Sequence, residues 1–246
     1  MEDFKNKIAI VTGGTGALGR VIVNRFAKEG MKVYVPVRSM KSFMEMFDDS
    51  DRLALADAGE DFTHLLKRYA MECDADDENQ CREFCENVVK QEKRLDYLVN
   101  TIGGYHPKKM ITDIDEALIE QQLRLNFYPA FYFTKHTLTQ MKINNFGRVI
   151  SIGAKPAVET TPGKFAYSFS KAGVVNLMQT LAVEFKDQDF TFNTIIPNII
   201  DTPANRESMP KADFGKWVKP EVIAEKCLEL VGDEGKKING EVIKMN

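Results

Sequence analysis

A short apolar run, Ile8-Ala-Ile-Val11, leads without a spacer into Thr12-Gly-Gly-Thr-Gly-Ala-Leu-Gly19 and then into a helical pattern. A strand, a glycine-rich turn and a helix in that order leave few folds open. Glycine permits the tight reversal and lets backbone N–H groups approach a ligand closely, while the helix N-terminus adds partial positive charge. The turn is read as a pyrophosphate cradle, with Gly13, Thr15, Gly16, Ala17, Leu18 and Gly19 as the cofactor-binding candidates. A tight turn that holds no ligand is the alternative.

The rest of the chain repeats the rhythm. Apolar runs recur at Val33–Val37, Tyr69–Met71, Tyr97–Val99, Val149–Ile152, Phe192–Ile196 and Val242–Met245. Near-continuous hydrophobicity at Ile8–Val11 and Val149–Ile152 fits strands covered on both faces. Helical stretches are expected at 17–29, 40–57, 77–92, 115–143, 167–186 and 220–231, with Pro129 kinking or breaking the fourth. The pattern predicts an α/β, single-domain Rossmann fold over residues 1–246: a doubly wound, seven-stranded parallel sheet with helices on both faces. The Asp- and Ala-rich stretch 48–64 reads as an irregular excursion. Residues 201–219, polar and carrying Pro203 and Pro210, read as a loop or lid on the substrate side.

Composition excludes several partners. The 246 residues are 43% hydrophobic and carry a net charge of −3, which suits a sizeable core and gives no footprint for nucleic acid or anionic membrane. No apolar run approaches the roughly 20 residues a membrane helix needs. The N-terminus passes straight into the first strand pattern, so a cytoplasmic protein acting on a small molecule is expected. Cys73, Cys81, Cys85 and Cys227 read as ordinary reduced thiols, and His64, His106 and His136 are too scattered to complete a metal site with them.

Chemistry enters with Ala166-Tyr-Ser-Phe-Ser-Lys-Ala172. Residues four apart share a helix face, which places the Tyr167 phenol beside the Lys171 ammonium. Such a cation favours the phenolate and is expected to bring its pKa down from about 10. The pair would then exchange a proton with a carbonyl or imine.

Thr12-Gly13, Gly19, Tyr167 and Lys171 together resemble the short-chain dehydrogenase/reductase family across essentially the whole chain. Ala17 stands where the middle glycine of the usual Thr-Gly-x-x-x-Gly-x-Gly fingerprint would be. The resemblance implies that Tyr167 is the acid, that Lys171 tunes it and holds the nicotinamide ribose, and that Asn126 anchors a proton-relay water. It further implies that Asp74 contacts adenine. The Asn100-Thr-Ile-Gly103 turn lines the cofactor, and Pro197, Ile200 and Thr202 border the nicotinamide. The second strand ends Pro36-Val37-Arg38-Ser39, with no acid to hold a ribose 2′-hydroxyl and a guanidinium able to fork onto a 2′-phosphate. NADP(H) is therefore expected in preference to NAD(H), the alternative being a merely solvated Arg38.

One position departs from the family. Its usual serine, thirteen residues before the tyrosine, is Ala154 here, and Ser151 lies on the other side of the strand. The loss of an oxyanion donor costs about 3–4 kcal/mol where a reaction needs one. Gly153-Ala-Lys-Pro-Ala-Val-Glu-Thr-Thr-Pro-Gly163 and Asp201–Trp217 resemble the dihydropteridine reductase branch, which also pairs an alanine with its Tyr-x-x-x-Lys. That branch typically prefers NADH, with an acid where Val37 stands, and lacks the asparagine aligned with Asn126.

The expected function is NADP(H)-dependent reduction of a small conjugated carbonyl or imine, with Ala154, Tyr105, Arg206 and Trp217 on the substrate side. A conventional ketone or 3-oxoacyl-[acyl-carrier-protein] reductase is the enzyme alternative, and a non-catalytic NADP(H)-binding redox sensor the alternative of another class. Trp217 could cover a flat ring or pack the loop against the body. Arg206 could meet a ligand or cap its own loop. The resemblance implies a homodimer or homotetramer built on the helices at 115–143 and 167–186, where Phe131 and Met178 are either contact or core residues.

Overall fold

Seven parallel strands form one sheet in a computed structural model that describes residues 4–41, 43 and 69–246. In chain order the strands and α-helices are β1 (Ile8–Thr12), α1 (Gly19–Lys28), β2 (Lys32–Val37), β3 (Ala70–Glu72), α2 (Glu78–Glu92), β4 (Tyr97–Asn100), α3 (Glu116–Asn126), α4 (Tyr128–Met141), β5 (Gly147–Ile152), α5 (Phe165–Glu184), β6 (Phe190–Pro197), α6 (Pro203–Ser208), α7 (Pro220–Val231) and β7 (Val242–Met245). Every apolar run in the sequence falls on a strand. The helix expected at 40–57 and the excursion at 48–64 lie, beyond Phe43, outside the described residues.

The strand order is β3-β2-β1-β4-β5-β6-β7. The winding reverses between β1 and β4, which leaves a crevice at their C-terminal ends, where ligands bind in such sheets. Alternation along the strands builds two apolar layers. Ala9, Val11, Val33, Val35 and Ile150 pack with Ile22, Val23 and Phe26 of α1 and Ile223, Cys227 and Leu230 of α7. Ile8, Ile10, Leu98, Val149 and Phe192 pack on the other face with Cys81, Phe84 and Val88 of α2, Phe133 and Met141 of α4 and Met178 of α5.

Local signals set the helix ends that matter for the site. Asp77 caps α2 by accepting from the N–H groups of Asn79 and Gln80, and Asp115 caps α3 by accepting from Leu118. The expected break falls at Phe127, where Pro129 opens the first turn of α4, a position that needs no proline N–H. That break places Asn126 at the last position of α3. Met178 is fully buried, so it belongs to the core rather than to an assembly surface. Phe131 is half-buried and stacks on Phe127 with ring centroids 5.8 to 5.9 Å from its aromatic neighbours.

Candidate active site

The turn after β1 is shaped by its glycines. Gly13 has φ of +66°, the left-handed region that side chains rarely enter, and its carbonyl accepts the N–H of Gly16 at 2.9 Å. A Cβ at Gly19 would lie 2.1 Å from the Gly13 oxygen, so α1 can begin this close to β1 only without one. Gly14, not among the expected ligand positions, serves packing: a Cβ there would meet Val35 at 2.7 Å. Ala17 is accommodated in the turn where the family fingerprint carries glycine. Thr101 clasps the neighbouring strand end, donating its hydroxyl to the Thr12 carbonyl at 2.6 Å and its N–H to the Thr12 Oγ1 at 3.2 Å.

Beside this turn runs a cleft of about 980 Å³, lined by Gly13, Thr15, Gly16, Val37, Arg38 and Gly103 among others. Its far end is walled by Cys73, Ala75, Asp76 and the α3 residues Glu120, Gln121 and Arg124. Arg38 is exposed on the cleft rim and has no carboxylate partner among the described residues. Asp74 is exposed and uses its Oδ1 to accept the Asp76 N–H at 3.1 Å, so it flanks the cleft while its neighbours line it. Asp76 and Arg124 pair at 3.2 Å, and the other Asp76 carboxylate oxygen is buried without a partner. Sequence reasoning missed this pair. Its only signal was position, two residues after Asp74 and two before Asn126.

At the other end the expected residues converge. Lys171 is buried and donates its ammonium to the Ile152 carbonyl at 3.0 Å. Burial brings its pKa down to about 8. Asn126 is fully buried; its Oδ1 accepts the Gly104 N–H at 3.0 Å, and its amide donates to Gln122. Gly103 fits between these two side chains, since a Cβ there would stand 2.6 Å from Lys171 Nζ and 2.8 Å from Asn126 Oδ1. Asn100 braces the strand ends by donating to Thr134 Oγ1 and Ser151 Oγ, which fixes Ser151 under the sheet and away from Ala154. Ala154 is buried and opens the short turn Lys155–Ala157 that packs on α5.

One electrostatic expectation is corrected. Tyr167 is not held below the ordinary phenol value: burial, with a smaller contribution from Tyr105, pushes it up to about 12. The reason is geometric. The phenol is withdrawn from water, which disfavours its charged form, and the Lys171 ammonium is turned to the Ile152 carbonyl. A phenol held protonated is suited to giving a proton up to a developing anion.

The substrate side divides. Tyr105 is half exposed and meets the Tyr167 ring edge-on at 5.4 Å. Arg206 is turned onto its own loop, paired with Asp201 through both carboxylate oxygens at 2.6 and 2.8 Å and lying over the Phe214 ring. Trp217 is 8% exposed and packs on Phe214 at 4.7 Å, so it seats the loop against the body rather than facing an open cleft. Backbone bonds from Val218 N to the Ile199 carbonyl and from Asp201 N to the Val218 carbonyl close the loop base beside Ile200. Pro197 ends β6, and Thr202 caps α6 by accepting from Asn205. His106 donates from Nδ1 to the Pro107 carbonyl at 2.7 Å, within its own turn. All four cysteines are buried free thiols, and among the described residues no three His, Cys, Asp or Glu side chains gather as a metal site.

A glycine cradle at the switch point of a parallel sheet, with a half-buried tyrosine and a buried lysine beyond Gly103, defines a nicotinamide-nucleotide oxidoreductase. The short chain dehydrogenase family model matches residues 7–213. The chain belongs to that family and is an NAD(P)-dependent oxidoreductase. It is 24% identical to a 3-oxoacyl-[acyl-carrier-protein] reductase FabG of Thermotoga maritima, covering 98% of this chain and 96% of that one. It is also 24% identical to a 7alpha-hydroxysteroid dehydrogenase of Bacteroides fragilis, covering 99% and 94%. Among solved structures, an NAD+-bound xylitol dehydrogenase shares the fold with a TM-score of 0.83 at 18% identity, over 99% of both chains. No helix among the described residues is long and apolar enough to cross a membrane.

Proposed function

We propose that the protein is an NADP(H)-dependent reductase of a small conjugated carbonyl or imine, similar to the dihydropteridine reductases in its acceptor. The observation that carries this reading is the pairing of a full set of Asn126, Tyr167 and Lys171 with a buried methyl group at Ala154. An acceptor whose electron-poor ring system takes hydride readily has less need of a hydroxyl at that position than an ordinary ketone has. Tyr167 gives its proton to the reduced heteroatom, Lys171 stands behind it, and Asn126 holds the Gly103-Gly104 turn against Lys171. The glycine cradle and α1 N-terminus fit a pyrophosphate, and when bound the dinucleotide supplies the hydride. Arg38 supports the choice of NADP(H), because an exposed guanidinium on the rim attracts a 2′-phosphate.

A second reading is reduction of a 3-oxoacyl thioester, favoured by full-length similarity to the FabG reductase of Thermotoga maritima. A panel following NADPH consumption with quinonoid dihydropterin, simple ketones, quinones and a 3-oxoacyl thioester separates the two. Turnover confined to ordinary ketones or the thioester removes the conjugated acceptor. Tight NADPH binding with no turnover on any acceptor points instead to a redox sensor. A homodimer or homotetramer is part of the proposal, with the exposed stacked pair Phe165 and Phe169 on α5 as a contact and sedimentation velocity as the check.

A further inference from the structure

The missing hydroxyl at Ala154 leaves the reacting oxygen or nitrogen with Tyr167 as its sole donor among the residues named so far. A second phenol stands beside it. Tyr105 meets Tyr167 edge-on, with ring centroids 5.4 Å apart and planes at 89°. The two rings are separated by 62 residues in sequence and come from different elements, the turn after β4 and the first turns of α5.

Its placement is built by the fold. Gly103 must lack a side chain to fit against Lys171 and Asn126, and Asn126 Oδ1 holds the N–H of Gly104. The next residue is Tyr105, so the side chain that anchors the turn also sets where this phenol emerges. On its other side Lys164, immediately before α5, lies with its ammonium 5.0 Å from the Tyr105 ring centroid. The ring contacts both Lys164 and Tyr167, while 53% of the residue stays exposed. An exposed tyrosine fixed beside the acid can present its hydroxyl to a bound molecule.

We infer that Tyr105 is a second hydrogen-bond donor to the substrate, supplying from the β4 turn the contact that Ala154 cannot supply from the β5 turn. The step stays balanced. The acceptor gains hydride from the dinucleotide and the proton from the Tyr167 hydroxyl, while the Tyr105 hydroxyl keeps its proton and only polarises the acceptor. This rests on the reading of Tyr167 as the acid, and the test separates the two.

Four variants are compared with the best acceptor from the panel: Tyr105→Phe, Tyr105→Ala, Ala154→Ser and the double variant Tyr105→Phe with Ala154→Ser. Tyr105→Phe keeps the ring contact and removes only the hydroxyl. It should lower kcat/KM by about a hundredfold or more, as the loss of one donor to a developing anion does, with the dissociation constant for NADPH unchanged. The new serine should raise kcat/KM by a larger factor in the Tyr105→Phe background than in the parent, restoring much of that loss. The proposal is overturned if Tyr105→Phe matches the parent and only Tyr105→Ala falls, because the ring alone then matters. It is equally overturned if the serine multiplies both backgrounds by the same factor. Failure of the underlying reading looks different: Tyr167→Phe would stay active, whatever the Tyr105 series shows.

Discussion

The two ends of the cleft are built on opposite electrostatic plans. At the reacting end the polar groups are withdrawn from water and held: Asn126 is 0% and Lys171 5% exposed, each with an identified hydrogen-bond partner. At the far end, which we propose takes the adenosine, the charges stand in solvent, with Arg38 on the rim and the Arg124–Asp76 pair partly exposed. A buried group cannot be replaced by water when it is lost, whereas an exposed one can. The first end should therefore set rate with large, all-or-none effects. The second should set cofactor choice with smaller effects that depend on salt.

The largest effect expected at the reacting end is that of Tyr167→Phe. Removal of the proton donor should lower turnover by two or more decades, about 3 kcal/mol or more of transition-state stabilisation. Steady-state assays with the best acceptor measure it, and near-normal activity would show that the two ends do not differ as argued.

A second test uses the same buried character without chemistry. Lys171 has a folded pKa near 8 against an ordinary 10.5, so the folded state releases its proton at lower pH than the unfolded chain does. Below about pH 8 the buried charge therefore opposes folding, by an amount on the order of 3 kcal/mol. The opposition fades as pH rises from about 8 toward 10.5. Lys171→Met should thus be inactive yet melt at higher temperature than the parent at pH 7, and the gap should narrow on going to pH 9.5. A variant less stable at neutral pH would mean that the Ile152 contact outweighs desolvation.

The contrast also explains what was legible beforehand. The seven strands could be read because a parallel strand covered on both faces is written as continuous Val, Ile and Leu. The α3–α4 break could be read because proline at 129 tolerates only a few helix positions. Tyr167, Lys171 and Asn126 could be named from spacing and resemblance, and the fold gathers them. Gly103 as a spacer, the Arg124–Asp76 pair and the Tyr105–Tyr167 contact could not, because each joins elements distant in sequence. The raised Tyr167 value was missed for a related reason: helix spacing brings Lys171 alongside but does not reveal that Ile152 takes its ammonium.

At the adenosine end Arg38→Asp is the sharper probe. It removes a phosphate partner and puts a carboxylate next to Val37, the position where the NADH-preferring branch carries its acid, so that a 2′-phosphate is repelled. The ratio of kcat/KM for NADPH to that for NADH should fall by about tenfold to a hundredfold, the value of one or two charge-assisted bonds. The change should reside in KM, with kcat nearly constant. The parent's preference should itself shrink as ionic strength rises, since the guanidinium is exposed. A preference insensitive to salt would place the 2′-phosphate in a drier site than the rim.

The smallest effect is expected from Arg206→Ala, which asks whether the lid follows either plan. Its guanidinium is satisfied within the loop by Asp201 and the Phe214 ring, and the ion pair holds the Asp201 carboxyl below its ordinary pKa. Trp217 and the bonds among Ile199, Asp201 and Val218 already fasten the loop base independently. An exposed pair of this kind contributes little to stability, because water and salt substitute for either partner. The variant should keep the parent's melting temperature and its KM for cofactor and acceptor within about twofold. A tenfold rise in the acceptor KM alone would require Arg206 to leave Asp201 and enter the site on binding. That would move the loop from the solvent-exposed plan of the adenosine end to the desolvated plan of the reacting end.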